Sequence, residues 1–87
     1  MIHIEGKDMP AAVKRRLRWG ENLREQVDAN GMTVKQFHAA LRVAGVDVSI
    51  QAVYMWLKGD TAPRPDLQGK VAEVLGTRAH LLFPVAS

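Results

Sequence analysis

The sequence predicts an all-α domain. Two observations carry this: apolar residues recur at three- and four-residue spacing along most of the chain, and Gly or Pro breakers cut it into four or five such stretches. Composition sets the frame, since 87 residues, 47 % hydrophobic and 24 % charged, make one ordinary globular domain. No apolar run reaches the ~18 residues of a membrane span, and no secretory leader is recognisable at Met1 to Glu5, so a cytoplasmic protein is expected.

The first helix begins near Asp8 and Pro10, where a missing N–H costs little, and ends at Asn30-Gly31. Val13, Leu17, Leu23 and Val27 are its expected inward face, and Gly20 is a weak point that divides it. Thr33 caps a second helix with Phe37 and Leu41 inward. Arg42 to Val48 forms a connection or a last helical turn plus loop. Ser49 caps a third helix, Ile50 to Lys58, with Val53, Trp56 and Leu57 inward and Gly59 closing it. Two prolines keep Thr61 to Pro65 out of a helix. Asp66 is expected to cap a fourth helix, with Leu67, Val71, Val74 and Leu75 inward, and Thr77 a short fifth, Arg78 to Phe83. Ile2 to Ile4 and Leu82 to Val85 are the strand candidates.

Enzyme chemistry finds no support in the motifs. His3, His38 and His80 share no metal-ligand spacing, and there is neither a phosphate-cradling glycine loop nor a nucleophile elbow. With no cysteine, thiolate metal sites and disulfides are excluded. No metal, cofactor or small-molecule ligand is therefore expected, and no enzyme.

The third helix carries the functional signal. With Val53, Trp56 and Leu57 inward, its outer face holds Gln51, Ala52, Tyr54, Met55 and Lys58, with Ile50 at the leading edge. One cation, one amide and one phenol among small or flexible apolar groups is an odd surface for water but suits base edges. A Gln amide pairs with adenine, and Ala, Ile or Met touches a thymine methyl. Charge adds a second signal. Twelve Lys plus Arg against nine Asp plus Glu gives only +3, yet Lys14, Arg15, Arg16 and Arg18 stand within five residues. Such a run is usually a solvated helix face; beside a helix pair of this kind it is expected to meet phosphates or the minor groove.

Val48-Ser49-Ile50-Gln51-Ala52-Val53-Tyr54-Met55-Trp56-Leu57-Lys58-Gly59 resembles the recognition helix of the Cro and phage-repressor (lambda-repressor-like) helix-turn-helix family, V-S-x-Q-A-V-x-x-W-x-x-G. Trp19-Gly20-Glu21-Asn22-Leu23-Arg24, Asn30-Gly31-Met32-Thr33, the proline after the third helix and Val71-Ala72-Glu73-Val74-Leu75-Gly76 are similar to the rest of that domain, so the likeness covers residues 19 to 83. Residues 1–18 then form an N-terminal extension with a basic helix or arm, and 84–87 a tail. Thr33 and Ser49 stand sixteen positions apart, more than is usual in the family, so Arg42 to Asp47 should lengthen helix two or widen the turn.

The resemblance implies a transcription regulator on double-stranded DNA, acting as a homodimer by occupying an operator in a bacterial or phage-infected cell. It implies base contacts by Ile50, Gln51, Ala52, Tyr54 and Met55. Backbone contacts would come from Thr33, Lys35, Gln36, Ser49, Lys58, Thr61 and Arg64, joined by Lys14, Arg15, Arg16 and Arg18. Dimer contacts are expected from His80 to Val85, with Ile2 to Ile4 pairing as a strand. Two other readings remain: an antitoxin with the same DNA-binding helices, and a protein-interaction module that uses Tyr54 and Met55 on a partner protein.

Overall fold

Hydrophobic spacing and capping become five helices in a computed structural model that describes residues 10–85. They are α1 (Ala11–Ala29), α2 (Val34–Val43), α3 (Ile50–Lys58), α4 (Pro65–Val74) and α5 (Ala79–Leu82), and no strand occurs among the described residues. The Asp8 helix start and the Ile2 to Ile4 strand candidate lie outside these residues. Leu82 belongs to α5, so the C-terminal strand candidate is replaced by a helix end and a short irregular segment.

α1 is continuous through Gly20 and across positions 18 and 19. Trp19, Gly20, Leu23 and Val27 are its buried residues, whereas Leu17 is exposed and Val13 half-buried. The expected stripe therefore holds only in the second half, because no residue from 11 to 18 is fully buried. Gly20 does not weaken the helix; it lets α1 reach the end of α3. A Cβ there would lie 2.9 Å from the carbonyl oxygens of both Trp56 and Leu57. Gly59 answers from the other side: its φ of 82° closes α3 in the left-handed region, and a Cβ would fall 2.9 Å from the Leu17 Cα.

Thr33 caps α2 reciprocally. Its hydroxyl accepts from the Gln36 N–H at 3.1 Å while the Gln36 side-chain oxygen accepts from the Thr33 N–H at 2.8 Å, which satisfies two donors otherwise left open at a helix start. Thr33→Ala should lower stability by about 1 kcal/mol. In thermal unfolding that is a fall of roughly 4–8 °C; an unchanged midpoint would show that water serves these donors equally well.

The extra residues between Thr33 and Ser49 widen the turn and leave helix two at ten residues. After Ala44 the chain turns at Gly45, drops Val46 into the core with full burial and continues without regular structure to Ser49. The Val46 N–H bonds the Leu41 carbonyl at 2.8 Å, and His38 Nε2 donates to the Val48 carbonyl at 2.8 Å. Lys70 of α4 donates to the Ala44 carbonyl at 3.3 Å. The connection is thus tied at its start, middle and end.

Pro65 opens α4 as its first residue, with Arg64 at the cap, so Asp66 is not the cap. Proline fits there because the first helical N–H has no intrahelical acceptor, and Asp66 in the first turn faces the positive end of the helix dipole. Val71, Ala72 and Leu75 are buried, with Leu67 and Val74 packed partly against them. Arg78, and not Thr77, holds the cap position of α5. Phe83 then meets Trp19 edge to face, 5.3 Å between centroids. Trp19 Nε1 donates to the Pro84 carbonyl at 2.8 Å, and Asn22 Nδ2 to the Leu82 carbonyl at 3.0 Å. These bonds fasten the segment from Leu82 to Pro84 along α1. Phe37, Leu41, Val46, Val53 and Trp56 join the buried faces of α1 and α4 in one core, with no buried polar or charged residue among those described.

Candidate nucleic-acid interface

Ser49 starts the site by fixing where α3 begins. Its Oγ accepts from the Ala52 N–H at 3.1 Å, so its own hydroxyl proton is available to donate outward. Val53, Trp56 and Leu57 are buried, which turns the opposite stripe of α3 to the surface. Gln51, Tyr54, Met55 and Lys58 are exposed, and Ile50 and Ala52 are half-buried at its edges. At about 100° and 1.5 Å per residue, the four exposed side chains share one stripe about 10 Å long.

Thr33, Lys35 and Gln36 are all exposed in the first turn of α2. The capping box engages the Gln36 oxygen, which leaves its amide NH₂ as the donor for an anion. Beyond α3, Lys58 stands 3.5 Å from Asp60, and Arg64 3.5 Å from Asp66; all four side chains are more than half exposed. In water such pairs hold weakly, so either cation can exchange its carboxylate for a phosphate. Thr61 lies between them, exposed, its N–H 3.4 Å from the Met55 carbonyl.

The four cations of the basic run, Lys14 to Arg18, do not form one group. Helix rotation of about 100° per residue sets Arg15 and Arg18 some 140–160° around α1 from Gly20, the point that touches α3. Lys14, Arg15 and Arg18 line a cavity against Pro84, on the flank that carries the C-terminal segment. Arg16 is half-buried, and its carbonyl lies beside Gly59 at the end of α3. Its backbone is thereby placed at the end of the third helix.

Two residues given no role from the sequence support the site. Arg24, one turn after Gly20, donates through Nη1 to the Leu57 carbonyl, placing a positive charge at the negative end of α3. His38 holds the chain just ahead of Ser49 through the Val48 carbonyl. The four-residue step from Gly20 to Arg24 was the available signal for the first. For the second there was none, because His38 meets a loop whose course is set by Val46.

The outer segments are divided differently from the expected dimer contacts. Leu82 and Phe83 are committed to the core of their own chain, whereas His80, Leu81 and Val85 remain at the surface. No family model, no curated protein and no solved structure matches this chain.

Proposed function

We propose that this protein is a sequence-specific regulator of double-stranded DNA, built as a lambda-repressor-like helix-turn-helix domain, that acts as a homodimer by occupying an operator. The observation that carries the reading is the surface of α3: Gln51, Tyr54 and Met55 stand exposed in line, backed by the buried stripe of Val53, Trp56 and Leu57. α3 is the element that enters the major groove, with Gln51 reading a base edge and Tyr54 and Met55 contacting neighbouring bases. Thr33, Lys35 and Gln36 at the start of α2, with Lys58, Thr61 and Arg64 after α3, hold the phosphates on either side. One domain covers one half-site, so a two-fold dimer reads two half-sites about 34 Å apart.

Selection of bound fragments from random-sequence duplexes tests this directly, by returning a palindrome of that spacing. On the selected site Gln51→Ala should weaken binding by roughly 1–3 kcal/mol, while affinity for random duplex stays unchanged. An equal loss on both would remove Gln51 as a base reader. Failure of the unaltered protein to shift any duplex at low salt would remove the function.

A further inference from the structure

The cavity beside Pro84 lies apart from the α3 surface and has a chemistry of its own. It measures about 290 Å³ and is lined by Ala11, Lys14, Arg15, Arg18 and Pro84. Its walls are set in place. α1 supplies one side, and Pro84 is held opposite by the Trp19 Nε1 bond to its carbonyl at 2.8 Å, with Phe83 buried just before it. Ala11, Pro84 and the aliphatic stems of the three long side chains give it an apolar floor, and the same side chains bring three cationic groups to it, Arg15 with its Nε buried and without a hydrogen-bond partner among the described residues. Val85, next along the chain, is an apolar residue 71 % exposed.

We infer that this cavity is a docking site for an acidic peptide segment of a partner protein, one that inserts a single apolar side chain and flanks it with carboxylates. The volume suits one large side chain, and burying it against the stems and the proline supplies the hydrophobic part of the affinity. The three cations select for carboxylates on either side, Arg15 and Arg18 through two parallel N–H bonds each and Lys14 as a point charge. A phosphate backbone would answer the charges but leave the apolar floor uncovered, so protein is the better complement. The site needs no DNA, so its test stands or falls separately from the function proposed above.

The test is a titration of the full chain, labelled with ¹⁵N and free of DNA, with a set of twelve-residue peptides carrying one Leu, Ile or Phe flanked by Asp and Glu at varied spacing. Binding should shift amide signals of residues 11–18 and of Val85, and leave those of α3 in place. Replacing the apolar residue by Ser, or the acids by Asn and Gln, should weaken binding about tenfold each. Ala11→Phe, at an exposed position, should close the cavity and abolish peptide binding while leaving duplex affinity unchanged. Arg15→Glu with Arg18→Glu should abolish it also, with helix content by circular dichroism confirming the fold. The inference is overturned if no peptide in the set produces these shifts. It is equally overturned if the neutral peptides bind as well as the acidic ones, or if a short duplex shifts the same residues and displaces the peptide, which would assign the cations to DNA.

Discussion

Gly20→Val should lower the melting temperature by about 12–24 °C, the largest effect of any single change considered for this domain. The expectation rests on what a side chain would meet. Its first carbon would sit 2.9 Å from two carbonyl oxygens, those of Trp56 and Leu57, and 3.0 Å from the Gly59 nitrogen. All three are backbone atoms near the end of one helix, so none can swing aside as a side-chain tip would; α1 and α3 must separate instead. A strain of about 3 kcal/mol follows, at the upper end for overpacking. Helix propensity opposes this, since glycine within a helix costs about 1 kcal/mol relative to alanine. Gly20→Ala should therefore be the milder variant, destabilising by about 2 kcal/mol. Denaturant or thermal unfolding of the two checks the idea, and stabilisation by alanine would mean that the helices do not approach closely at Gly20.

A second large effect belongs to charge. Lys35→Ala, Lys58→Ala and Arg64→Ala combined should reduce the slope of log affinity against log salt by about 2.7, because each phosphate contact releases roughly 0.9 of a condensed counterion. At 0.1 M salt that corresponds to about 500-fold weaker binding, and the loss should be equal on specific and random duplex. The two ion pairs sharpen the test. Lys58 and Arg64 each stand 3.5 Å from an acid, so replacing Asp60 and Asp66 by Asn should tighten binding to any duplex modestly by freeing both cations. An unchanged salt slope in the triple variant would show that these cations only meet water.

The caps and turns were legible because they act over a few residues. Thr33, Ser49 and Gly59 each settle one helix boundary through bonds within four positions, and each does so as the sequence indicates. Val53, Trp56 and Leu57 were legible for a related reason: a three- and four-residue rhythm says which side of a short helix turns inward, and hence that Gln51, Tyr54 and Met55 turn out. Pro65 was misjudged by the same kind of local reasoning. A proline excludes the interior of a helix but suits its first position, and here the second role holds. For Arg42 to Asp47 the pattern left two outcomes open, a longer helix or a wider turn. Burial of Val46 chose the turn, because that side chain reaches the core only if the chain leaves the helix first.

Long-range packing governs what the pattern left undetermined. Gly20 is a helix breaker by propensity, and it becomes the crossing point of α1 and α3 because the carbonyls it meets lie more than thirty positions away. The basic run reads as one cluster along the chain. It divides in space because α1 turns about 100° with each residue and has different neighbours on its two flanks, Gly59 and the end of α3 on one and Pro84 on the other. Arg24 gained its role from Leu57, and His38 from Val48, in the same way. An all-α chain with capped helices and an unusual outer face on the third follows from interactions between near neighbours. Which flank of α1 meets which element depends on contacts between residues far apart in sequence, and no periodicity within one helix encodes them.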